Sequence, residues 1–271
     1  MLATLGRRAI LASYAILIVV PLTVILFGTF KTTGALFDNP FAPPTSLSTQ
    51  NYRTVLTEQN LSGAFVNSAV VTAASVTLTL FLGSLAAYGV ARIPGWRGWL
   101  IFGFLVLGMS VPAQANMIPQ YVLFGRLGLL DSLLGLILIN VVVTLPVAVF
   151  ILGGFMRTLP STLYEASSID GSGPWRTYRS IIMPLSLPSL AATAIFLFVM
   201  HWNELLYPLL FIQSAEKRTL PLALLSFQGE FQTDYPLLFT GVVLASLPVV
   251  VGYVLLQRYF VAGMTSGAVK G

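Results

Sequence analysis

The residues from Ala9 to Phe30, AILASYAILIVVPLTVILFGTF, contain no charged side chain. A run of that length matches the ~20 residues an α-helix needs to cross a bilayer. A second uncharged run, from Ala64 to Val90, is longer still. In lipid every backbone N–H and C=O must be paired inside its own segment, so such runs become helices. The reading that follows is an all-α polytopic membrane protein. Mean hydropathy of +0.86 agrees, and charged residues make up only 8% of the chain. The basic residues lie scattered at the ends of apolar runs, which fits membrane orientation and argues against nucleic acid as a partner. No cysteine is present, so disulfides and thiolate chemistry are excluded.

Six transmembrane helices are expected, at Ala9–Phe30, Ala64–Val90, Trp99–Ile118, Leu133–Phe155, Leu185–Leu206 and Leu237–Leu256. The first is too long for the apolar core of a cleaved signal and is read as a retained span. Pro21, Pro146 and Pro208 fall within spans or at their edges, where neighbouring groups must satisfy the freed carbonyls. With the N-terminus inside, nine of the 14 Lys and Arg residues fall on the cytoplasmic side. That orientation satisfies the positive-inside rule and puts both termini in the cytoplasm. The organisation expected is an N-terminal helix with its external loop over 1–60, a core of five helices over 61–257, and a cytoplasmic tail over 258–271.

Between spans four and five, EASSIDGSGPWRTYRSIIMPLSLP concentrates charges, glycines and prolines that the rest of the chain lacks. Thr162 to Glu165 reads T-x-x-E, a capping box that starts a helix near Thr162. Gly171 supplies the left-handed residue that ends it. Pro174 suits the first position of a second helix, and Pro184 is expected to stop it. On that second helix Trp175, Tyr178 and Ile182 form an apolar stripe and Arg176 and Arg179 a basic one, a pattern suited to a headgroup boundary. Ala166, Ser167 and Ser168 leave the first helix with a thin flank, open to close approach by another surface. Asp170 stands where a negative charge opposes the helix dipole.

Glu165-Ala166-Ser167, then three residues, Gly171, nine residues and Ile181-Ile182-Met183-Pro184 resembles the EAA loop of permease subunits of bacterial ABC importers. Ser167 and Met183 depart from the family's alanine and leucine. FGTFKTT, NYRTVL, IPQYVLFGRLGLLDSLLGLIL, HWNELLYPLL and the terminal GAVKG resemble the carbohydrate-uptake branch, similar to the maltose-type permease subunits. The resemblance implies a type I ABC importer permease fold with a coupling loop at about 157–184, in the bacterial cytoplasmic membrane. It implies a second permease subunit, two cytoplasmic ATPase subunits and an extracytoplasmic solute-binding protein as partners, with a carbohydrate as substrate. Glu165, Ala166, Ser167, Asp170 and Gly171 are then the ATPase-coupling residues, and Lys270 reaches toward the ATPase. No G-x-x-x-x-G-K-[ST] occurs in the chain, so ATP and Mg belong to the partner and this chain carries no cofactor of its own.

Neutral hydrogen-bonding groups near spans, Asn67, Gln114, Asn116, Asn140 and Thr144, serve either sugar recognition or interhelical bonding. Asn67, Asn140, Asn203 and Glu204 are the candidate pathway residues. Glu204 reads as the only acid near a span, placed by topology at the outer end of span five. A lone His201 without cysteine leaves no metal site, and no nucleophile–base pair suggests an enzyme. The competing reading is an ion-gradient-driven secondary transporter or channel, with Glu204 carrying the ion.

Overall fold

The computed structural model describes residues 2–228 and 233–265. The terminal GAVKG, Lys270 included, lies outside the described residues. Fourteen α-helices follow one another among them: α1 (Leu2–Gly28), α2 (Thr33–Asp38), α3 (Gln50–Arg53), α4 (Leu61–Ala91), α5 (Gly95–Val106), α6 (Met117–Arg126), α7 (Leu133–Met156), α8 (Ser161–Ile169), α9 (Pro174–Thr177), α10 (Met183–Leu185), α11 (Leu187–Trp202), α12 (Leu206–Phe211), α13 (Leu220–Leu224) and α14 (Tyr235–Thr265). No strand joins them among the described residues, where one bridge pairs Gln228 with Thr233.

Four of these helices are long and apolar enough to span a membrane: α1, α4, α7 and the Tyr235–Val254 part of α14. Two bent helix pairs bring the count of candidate spans to six if each pair is taken as one span. The stretch expected as one continuous helix over Trp99–Ile118 breaks instead, and its halves, Gly95–Ser110 and Ala113–Arg126, meet at 80°. Pro112 is the cause: it lacks an N–H and forces Val111 out of the helical region, to φ −89° and ψ 115°. The fifth span is also shorter than expected. α11 has 16 residues, about 24 Å at 1.5 Å per residue, and Pro174–Leu185 precedes it at 76°. Pro21, Pro146 and Pro248 lie inside α1, α7 and α14, and Pro208 lies in the separate α12.

The chain divides into two compact units, residues 1–66 with 218–248 and residues 67–217 with 249–271. In the first, Lys31 is buried and its ammonium donates to the carbonyls of Asn39 at 2.8 Å and Ala42 at 2.6 Å, holding the loop after α1. In the second, α4, α7 and α11 pack together through small and β-branched residues. Gly83 lies against Ala148, where an added Cβ would come within 2.8 Å. Ala87, Tyr88, Leu152, Met156, Tyr178 and Ile182 form the buried cluster at the end of this unit that carries α8.

Candidate functional site

α8 begins one residue before the T-x-x-E pattern placed it, at Ser161. Pro160, with φ −58° and ψ 136°, supplies the non-helical boundary and makes no side-chain cap bond. The capping box does not form: starting at Ser161 leaves Thr162 inside the first turn. The C-terminus follows the expectation closely. Gly171 has φ +70°, its N–H donates to the Ser168 carbonyl at 3.1 Å, and the Ser172 N–H donates to the Ser167 carbonyl at 2.9 Å. These two bonds are the Schellman closure that satisfies the last carbonyls of α8. Pro174 then opens α9 at its first turn.

Pro184 does not stop the second helix. A π-type turn over Tyr178–Ile182 precedes it, and the chain stays helical through Leu185. The wider turn absorbs the hydrogen bond and the space that a proline ring denies to an α-helix. Two of the three residues of the apolar stripe face protein. Tyr178 and Ile182 are buried while Trp175 is 58% exposed. The Ser84 hydroxyl donates to the Phe81 carbonyl at 3.0 Å, so at 2.8 Å it accepts from the Tyr178 hydroxyl. Tyr88 donates to the Pro174 carbonyl at 2.8 Å. The segment after α8 is thereby pinned to α4.

Ser167 corrects the thin-flank reading. It is buried, with its hydroxyl 3.0 Å from that of Thr177, and so fastens α8 to α9. Glu165, Ala166, Ser168 and Asp170 are exposed, and Ile169 is 86% exposed. Tyr164 turns inward against Tyr88. Burial, with Tyr88 beside it, pushes its hydroxyl above the usual tyrosine range, so it stays a donor. α8 is therefore a short rod with a fixed underside and a free outer side.

Each of the four pathway candidates has structural partners of its own or is buried in a helix. Asn67 donates to the Glu216 carbonyl at 2.8 Å, Asn203 donates to the Val199 carbonyl at 2.8 Å, and Asn140 is buried in α7. Glu204 accepts from the Leu206 and Tyr207 amides at 2.8 and 3.2 Å, which caps α12. Thr144 donates to the Asn140 carbonyl at 2.7 Å and stands 3.4 Å from the Thr79 hydroxyl and 3.3 Å from His201 Nε2. These groups bond α4, α7 and α11 to one another. Gln114 and Asn116 are exposed beside the break in the third span.

Glu204 is also not the only acid near a span. Asp131, with φ +48°, precedes the Ser132 boundary of α7. Its carboxylate accepts from the Gln213 amide at 3.0 Å, the Ser214 amide at 2.9 Å, the Ser214 hydroxyl and the Lys217 ammonium at 3.1 Å. The Ser214 hydroxyl first, then the two amides, hold this carboxyl well below the usual carboxylate range. Sequence reasoning passed over it because its partners lie more than 80 residues away.

Residues 79–266 match the family described as the inner membrane component of binding-protein-dependent transport systems. The multiple sugar-binding transport system permease protein of Streptococcus mutans is 34% identical, covering 97% of this chain and 96% of its own. The diacetylchitobiose uptake system permease protein of Streptomyces coelicolor is 32% identical over 97% of this chain and 88% of its own. In fold, the chain is similar to a subunit of a bacterial ABC transporter involved in the import of the acidic polysaccharide alginate. The TM-score is 0.82 at 20% identity, with 96% of each chain covered.

Proposed function

This chain belongs to the inner-membrane components of binding-protein-dependent transport systems and is a permease subunit of an ABC importer, and we propose that it forms half of a carbohydrate pathway driven through α8 by a separate ATPase. Two relatives whose names specify sugars support the substrate class. The second half of the pathway is another permease subunit, a solute-binding protein delivers the sugar, and two ATPase subunits hold ATP and Mg. Both termini are cytoplasmic, which puts α8 on the ATPase side.

The observation that carries this reading is the contrast across α8. Ser167 fastens α8 to α9, and Tyr178 and Ile182 hold the segment that follows to the ends of α4 and α7, while Glu165, Ala166, Ile169 and Asp170 are presented outward. Force applied to the outer side reaches the spans through packed atoms rather than through a flexible loop. Glu165 acts as an orienting group, since an exposed ion pair contributes only about 0–1 kcal/mol. Reconstituting the assembled importer in proteoliposomes tests the proposal. Glu165→Ala and Gly171→Pro are expected to lose sugar uptake and sugar-stimulated ATP hydrolysis at unchanged membrane insertion. Normal uptake by both variants overturns it.

A further inference from the structure

The ends of α4 at Ala91 and of α7 at Met156 lie together with the start of α5 at Gly95. Beside these ends lies an open groove of about 850 Å³ lined by Arg92, Trp99, Arg157, Tyr164, Glu165 and Ser168, among others. Its volume falls within the ~300–1,000 Å³ of sites that take small molecules.

The charges around it are unbalanced. Arg157 lies with its guanidinium 4.4 Å from the Trp99 ring centre and 4.8 Å from that of Phe102. Its Nη2 donates to the Gly98 carbonyl at 2.6 Å, and its Nε finds no partner. Arg92 sits over the Tyr88 ring at 5.5 Å and donates to the Tyr88 oxygen. Among the described residues the ion pair that forms is Lys217 with Asp131, so Arg92, Arg97 and Arg157 have no carboxylate partner and Glu165 pairs with none of them. The Tyr164 hydroxyl is a buried donor without an acceptor. Next to these groups Trp96 and Trp99 are 71% and 63% exposed, as aromatic side chains are at the depth of lipid headgroups.

We propose that this groove binds the phosphodiester of an anionic phospholipid from the adjoining leaflet, with Arg92 and Arg157 on the phosphate and Trp99 along the glycerol and first acyl carbons. Guanidinium forks match the oxygens of a phosphate, and basic pockets between span ends take anionic headgroups. The exposed tryptophans favour an amphiphile over a soluble acid, because they offer carbon surface next to the charge. One wall of the groove is α8 itself, so the inference rests on α8 lying at the cytoplasmic membrane face, while the two phosphate-binding arginines, Arg92 and Arg157, stand outside that helix.

The test uses the assembled importer in phosphatidylcholine nanodiscs doped with phosphatidylglycerol, and native mass spectrometry of the lipid kept through detergent exchange. The wild type is expected to keep phosphatidylglycerol in preference to phosphatidylcholine, and Arg92→Gln to weaken retention about fivefold, the effect of one arginine near a membrane surface. Arg53→Gln, far along the sequence in α3, is expected to retain as the wild type does. Inorganic phosphate at millimolar concentration is expected not to displace the lipid. Equal retention by Arg92→Gln and wild type, or displacement by phosphate alone, overturns the proposal. If Arg92→Gln folds poorly, the wild type still decides: retention that does not fall as KCl is raised contradicts an arginine–phosphate contact.

Discussion

Ile169 and Ile182 are the same residue in opposite surroundings, 13 positions apart on the connector. Ile169 is 86% exposed at the last turn of α8, and Ile182 is fully buried between α4 and α7. Replacing each by alanine removes three carbons, worth about 0.8 kcal/mol apiece when buried. Ile182→Ala is expected to destabilise the permease by about 2–5 kcal/mol, because the transfer loss adds to a cavity. Ile169→Ala is expected to leave stability within about 0.5 kcal/mol. If the ATPase buries Ile169, the same change removes about 2.4 kcal/mol from the grip on α8. A drive of about 5.5 kcal/mol populates the favoured state to about 99%, and that loss lowers it to about two-thirds. The expected result is roughly a one-third fall in sugar carried per ATP hydrolysed, measured in proteoliposomes, with the melting temperature of the purified permease unchanged. A melting point lowered as far as that of Ile182→Ala, or an unchanged transport ratio, refutes the reasoning that the outer side of α8 is the gripped side.

Gly171→Ala places a Cβ at φ +70° with open space around it, so the penalty is backbone strain of about 1–2 kcal/mol. Asparagine tolerates that conformation, and Gly171→Asn is expected to restore ATPase stimulation in the same vesicles. The Asp131 carboxyl is held below its usual range in the folded chain, so its stabilising effect is complete above the unfolded value of about 3.9. Thermal melting is therefore expected to be flat from neutral to mildly acidic pH and to drop only as the pH falls below that value. Asp131→Asn is expected to melt lower at neutral pH and to lose that acid-side drop. Tyr178→Phe leaves Ser84 without its donor, and an equilibrium unfolding comparison is expected to read a loss of about 1 kcal/mol.

What was legible in the sequence was mostly what neighbours in the chain decide. Apolar run length located the spans, and Gly171 and Pro174 located the end of α8 and the start of α9, because backbone conformation there depends on one or two residues. The capping box failed because Pro160 offered a competing boundary just upstream, and a one-residue extension of the helix put Thr162 out of reach. The π-type turn before Pro184 depends on Tyr178 and Ile182 finding Ser84, Tyr88 and Met156. No local pattern announces such partners. The same holds for Asp131, whose donors come from residues 213–217. Glu204 drew attention as a rare acid, and its carboxylate is spent on two amides of the next helix.

The interruption at Val111 and Pro112 has a consequence for how the chain can exist in a bilayer. Val111 and Pro112 are exposed between the helical turns over Leu107–Ser110 and Ala113–Asn116, and such a break leaves peptide groups that acyl chains have no means of solvating. Hydrocarbon is the wrong neighbour for that strip. It has to be roofed by another polypeptide or wetted by an aqueous vestibule, which makes this bare hinge a marker of where the solitary subunit is unfinished.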